Sequence, residues 1–69
     1  MHQRTAPITI LIADDHPLMR EGIAAVIHSQ ADMQVVGEAA DGNEAVALYR
    51  TLRPDVTLID LQMPNLNGM

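Results

Sequence analysis

Residues 8–13, Ile-Thr-Ile-Leu-Ile-Ala, form a nearly unbroken apolar and β-branched run. That is the pattern of a strand covered on both faces. It stops at Asp14-Asp15-His16-Pro17, where Pro17 suits the first turn of a helix and Asp15 or His16 suits the cap. Met19, Ile23, Val26 and Ile27 then recur at i, i+4, i+7 and i+8, one apolar stripe of a helix running to about Ser29. Gly22 weakens that helix slightly and reads as a point of close packing. Residues 33–40 predict a second strand, interrupted by Gln34 and Glu38, with Gly37 marking a bulge or close approach. A strand of that kind belongs at a sheet edge. Asp41-Gly42-Asn43-Glu44 is a helix start, with Asp41 as N-cap and Glu44 completing a capping-box variant. Ala45, Leu48, Tyr49 and Leu52 make the stripe of this second helix. Arg50 and Arg53 sit in its last turn, where the dipole favours cations, and Pro54 ends it. Val56-Thr57-Leu58-Ile59 reads as a third, doubly buried strand that runs into Asp60. The remainder, Leu61 to Met69, is a Pro/Asn/Gly-rich loop.

Strand–helix–strand–helix–strand with short connections implies α/β architecture: a parallel sheet with right-handed crossovers. The weak second strand goes outside, which gives the order 2-1-3 and places the two helices on opposite faces. The chain direction then reverses between strands one and three, and ligands of open α/β sheets bind at the carboxyl ends of such strands.

Composition bounds what this architecture can be. The chain has 69 residues, 48% apolar and 19% charged, too apolar for a disordered tail. One small core of this size is marginal without reinforcement. With no cysteine, disulfides and thiolate zinc sites are excluded. His2, His16 and His28 are too scattered to replace them, so association with another copy is the expected support. No apolar run is long enough to span a bilayer, no signal peptide is legible, and a cytoplasmic location is the default. Net charge is −5, and the only basic side chains besides histidine are Arg4, Arg20, Arg50 and Arg53. They form no basic patch, and with Tyr49 the sole aromatic residue, direct nucleic-acid binding is not expected.

In the order 2-1-3, Asp14 and Asp15 after strand one and Asp60 after strand three lie on neighbouring strand ends, about 5 Å apart. Three converging carboxylates either protonate in part or recruit a cation. All-oxygen donors favour a hard ion such as Mg²⁺. That arrangement suits phosphoryl transfer, and a carboxylate can itself be the acceptor. Simpler readings stand beside this one. Asp14-Asp15 ahead of Pro17 also has the form of a helix cap, and Asp60 could be the first polar residue of a loop. His16 reads as a capping or surface residue more than a phosphodonor or ligand. Met19, Met33 and Met63 read as core or loop filler, and Pro64, Asn67 and Gly68 as loop punctuation.

Three segments carry a family resemblance: ITILIADDHPLMREGI, VVGEAADGNEAV and PDVTLIDLQMPNLNG. Together they resemble the receiver domain of bacterial two-component response regulators over essentially the whole chain. The aspartate closing a buried strand, followed by x-x-Met-Pro-x-x-Asn-Gly, is the most specific part. The DDHP start and the VVGEA segment are similar to the subfamily with a LuxR-like helix-turn-helix output. The resemblance implies a flavodoxin-like fold, a sensor histidine kinase as partner of the full-length parent, and a parent that regulates transcription. It makes Asp60 the phosphoacceptor. Asp15 becomes the main acidic Mg²⁺ ligand, Asp14 its partner, and the Gln62 backbone carbonyl a further ligand. Met63 and Pro64 become the loop that supports the phosphorylated geometry.

A complete receiver has five strand–helix units in the order 2-1-3-4-5, whereas residues 1–69 hold three strands. The expectation is a partial flavodoxin-like sheet forming a single truncated receiver domain over the whole chain. The family's later hydroxyl, aromatic and lysine residues have no positions here. Phosphorylation of Asp60 is therefore expected to be impaired, and Mg²⁺ binding weak or absent. A homodimer, through edge pairing of strand three or exchange of elements, is expected to complete the sheet. Two rival readings are a Mg²⁺-dependent phosphatase or phosphotransferase with an aspartate nucleophile, and a dimeric half-fold with a vestigial site. The leading reading is a phosphoacceptor and not an enzyme.

Overall fold

A computed structural model describes residues 6–60. Its elements are β1 (Ile8–Ala13), α1 (Pro17–His28), β2 (Met33–Ala39), α2 (Gly42–Leu52) and β3 (Val56–Ile59). All pairing is parallel, in the order β2-β1-β3. The α/β architecture and strand order expected from the hydrophobic pattern are both present.

Strand β1 is the centre of the molecule, with Leu11, Ile12 and Ala13 fully buried. Alternate side chains of a strand face opposite ways. Ile10 and Ile12 pack with Ala24 and Ile27 of α1, while Ala13 packs with Ala39, Ala45 and Leu48 on the α2 side. The helices thus cover opposite faces, as the reversal of chain direction requires. At the edge, β2 is paired only to β1, and the register slips so that Ile10 faces Val35 but Leu11 faces Gly37. The bulge expected near Gly37 is there, and so is the close approach. A Cβ on Gly37 would meet Leu52 Cδ1 at 2.8 Å and Leu11 Cδ1 at 3.3 Å.

Capping agrees with the local sequence at α2. Asp41 accepts from the Glu44 amide at 2.8 Å, and Glu44 Oε1 accepts from the Ala40 amide at 2.7 Å. Arg53 closes the helix in a left-handed conformation, φ 48°, its guanidinium 5.7 Å from the centre of the Tyr49 ring. Buried Pro54 follows.

Three expectations are corrected. Gly22 marks no close packing, since nothing lies within 4 Å of where its Cβ would be. The inward face of α1 is Ile23, Ala24 and Ile27, while Met19 and Val26 are exposed. Ala24 lets the helix approach the sheet there, and Met19 and Val26 border an open groove with Leu58 instead. Strand β3 is not doubly buried: Val56, Leu58 and Ile59 are 41%, 42% and 46% exposed. Both helices lie mainly over β1 and β2, and among the described residues β3 is held chiefly by its ladder to β1. Its apolar composition therefore describes surface that residues 6–60 do not cover.

At the opposite end from the aspartates, Asp55 ties β3 to β1. Its carboxylate accepts from the Thr9 amide at 2.8 Å and the Thr9 hydroxyl at 3.0 Å, and its own amide donates to the Thr9 carbonyl at 2.9 Å. This clamp sets the register that carries Asp60 to the end of Ala13.

Candidate acidic site

The site forms where β1 and β3 end side by side. The Asp60 amide donates to the Ala13 carbonyl at 2.9 Å, extending the β1–β3 ladder by one rung. The Asp14 amide donates to the Ala39 carbonyl at 3.0 Å, so β1 remains tied to β2 one residue beyond its end. Asp14 is buried at 7% exposure. Its Oδ1 accepts the His16 amide at 2.8 Å, which folds the connection back on itself just before Pro17 starts α1. The Asp14 carbonyl, past the last rung available to it, accepts from an Arg20 guanidinium nitrogen at 2.6 Å.

This turn brings the expected carboxylates together. Asp14, Asp15, His16 and Asp60 each offer one ligand atom, all within 4.8 Å of one another. Asp14, His16 and Asp60 line an open cavity of about 360 Å³ together with Met19 and Ile23. Gln62, the fourth expected ligand, lies outside the described residues, as do Met63, Pro64, Asn67 and Gly68.

His16 has more than the capping role expected of it. It holds the N-cap position of α1 without a side-chain cap bond. Its ring serves the acidic cluster instead, with Nδ1 at 2.7 Å from Asp14, 3.0 Å from Asp15 and 3.6 Å from Asp60. The hydrogen bond to Asp14 is the main cause that raises the His16 pKa above its ordinary 6.5, followed by the charge of Asp15. Reciprocally, the His16 amide and then its ring hold the Asp14 carboxyl below its ordinary 3.8, against the opposing effect of burial. When protonated, the His16 ring is a cation set among three carboxylates. Arg20 was likewise missed as a site residue. The available signal was its position four residues after His16, which on a helix faces back over the same turn.

The donor set fits a hard divalent cation. Three carboxylate oxygens converge, no sulfur is present, and the nitrogen among them belongs to an exposed ring that can turn aside.

The response regulator receiver domain family matches residues 10–69. The chain belongs to that family. It is 50% identical over 62 residues to YxjL, an uncharacterized transcriptional regulatory protein of Bacillus subtilis strain 168, covering 90% of this chain and 28% of that protein. It is 46% identical over 63 residues to the nitrate/nitrite response regulator protein NarL of Escherichia coli K12, covering 91% of this chain and 29% of NarL. Among solved structures, the response regulator domain of Thermotoga maritima CheB is 50% identical, with a TM-score of 0.85 over 90% of this chain and 46% of that one. The 69 residues therefore span under a third of these curated relatives and about half of a receiver structure. As a receiver sequence with NarL-type relatives, the chain has the flavodoxin-like arrangement that the family resemblance implied. Among the described residues, no helix is long and apolar enough to cross a membrane.

Proposed function

We propose that this receiver segment accepts a phosphoryl group on Asp60 from the phosphohistidine of a sensor histidine kinase, within a cytoplasmic parent that regulates transcription. The observation that carries this reading is the convergence of Asp14, Asp15 and Asp60 at the ends of two adjacent parallel strands. An Asp60 carboxylate oxygen attacks phosphorus, the O–P bond forms, the N–P bond breaks, and the donor imidazole keeps the electron pair. Asp14 and Asp15, with Asp60 and the Gln62 carbonyl, are the residues that would hold Mg²⁺, which when bound offsets charge on the transferring group. Asp14 is held for that task by ties at its amide, its carbonyl and its carboxylate. The segment is labelled once per event and does not turn over substrate.

Taken by itself, the 69-residue chain contains no lysine to offset charge on the transferring group. Phosphorylation of this chain alone is therefore slow, and its Mg²⁺ affinity weak. Its exposed β3 pairs with β3 of a second copy, antiparallel across a two-fold axis, because that edge and its apolar side chains lack a covering element among the described residues. Net charge of −5 and the scatter of its arginines leave nucleic-acid contacts to other parts of a parent protein.

An Mg²⁺ titration followed by amide NMR tests the site. Saturable shifts centred on Asp14, Asp15 and Asp60, lost in Asp15→Asn, are the expected result. A flat response would mark the cluster as vestigial.

A further inference from the structure

The geometry points to Arg20 as the positioning residue of the acidic site, an inference that rests on the cation-binding reading above. Arg20 lies in the second turn of α1 and its side chain is 21% exposed. One guanidinium nitrogen donates to the Asp14 carbonyl at 2.6 Å, and Nε donates to Glu38 Oε1 at 3.3 Å, near the end of β2.

The Asp14 carbonyl needs such a donor. Its residue is buried, it lies one step past the end of β1, and an unpaired buried carbonyl is costly. A charged donor satisfies it more strongly than a neutral one. With the Asp14 amide on Ala39, the peptides on both sides of Asp14 are then fixed, one by the sheet and one by the helix. The orientation of the Asp14–Asp15 peptide decides whether both carboxylates face Asp60. Arg20 therefore sets the geometry of the site without contributing a ligand atom to it.

Its chemistry also differs from that of His16. The His16 ring contacts carboxylate oxygens of the cluster, whereas Arg20 contacts the Asp14 carbonyl and Glu38. Arg20 thus places a positive charge beside Asp14 without occupying a carboxylate oxygen of the cluster. A lysine could reach the Asp14 carbonyl or Glu38, yet its single ammonium lacks the fork that serves both.

The test compares Mg²⁺ affinity, the Asp14 carbonyl ¹³C shift and the thermal midpoint in the full chain and in Arg20→Met, Arg20→Lys and Glu38→Gln. Arg20→Met should weaken Mg²⁺ binding roughly tenfold, the usual scale for an outer partner of a metal ligand, and move the Asp14 carbonyl shift. Arg20→Lys should recover part of the affinity. Glu38→Gln, which keeps an acceptor for Nε, should lose less than the roughly tenfold expected of Arg20→Met. Wild-type affinity in Arg20→Met, with the native chain binding saturably, overturns the inference. A native chain that ignores Mg²⁺ overturns the reading of the site instead. The metal-free carbonyl shift then decides on Arg20, a change supporting the contact and no change refuting it. Should Arg20→Met lose its dispersed spectrum, Arg20→Lys carries the same comparison.

Discussion

His16 Nδ1 lies 2.7 Å from Asp14 Oδ1, the same oxygen that accepts the His16 backbone amide. In the metal-free chain this pair makes stability depend on pH at both ends. The raised His16 pKa gives a contribution fully present below 6.5 and lost as pH rises through the folded value. The lowered Asp14 pKa gives one present above 3.8 and lost as pH falls through the folded value. Both act together between those limits. Thermal midpoints in chelator should show His16→Ala losing more at pH 5.5 than at pH 9, and an equal loss at the two pH values would refute the pairing.

Removal of the clamp at the other end of the sheet should be felt. Asp55→Ala deletes the acceptor of two Thr9 donors, leaving exposed groups that water can partly satisfy. The expected cost is about 1 kcal/mol by urea denaturation. Unchanged stability would show that the ladder alone holds β3.

Two glycines should respond in opposite directions to alanine. Gly22→Ala meets nothing within 4 Å in a helix interior, so it should stabilise the chain by about 0.5–1 kcal/mol. Gly37→Ala pushes against Leu52, whose end can swing away, and against buried Leu11, which has less room. A loss of about 1 kcal/mol is expected there. The same sign at both positions would contradict the packing described.

Association of the chain is a further expected outcome. Light scattering at low micromolar concentration should give twice the mass of one chain, and Leu58→Lys should halve it, because Leu58 is 42% exposed on the bare strand. A folded monomer of the native sequence would exclude pairing through β3.

Local patterns were legible wherever one segment decides its own conformation. The apolar run of β1, the Asp41–Glu44 cap and the slip opposite Gly37 follow from neighbouring residues, and the order β2-β1-β3 follows from their relative apolarity. Convergence of Asp14, Asp15 and Asp60 followed from that order. Burial was less legible, because apolar composition says that a surface can be covered and not which element covers it. Val26, Leu58 and Ile59 are the cases in point. The ring of His16 and the guanidinium of Arg20 depend on how the turn after Asp14 closes, which helical spacing between His16 and Arg20 hints at without fixing their partners.

Acetyl phosphate labelling with Mg²⁺, read by intact mass and by peptide mapping after borohydride trapping, tests the central claim most directly. The account predicts slow addition of one phosphoryl group, confined to Asp60 and absent from Asp60→Asn. Labelling at another residue, or undiminished labelling of Asp60→Asn, would contradict it.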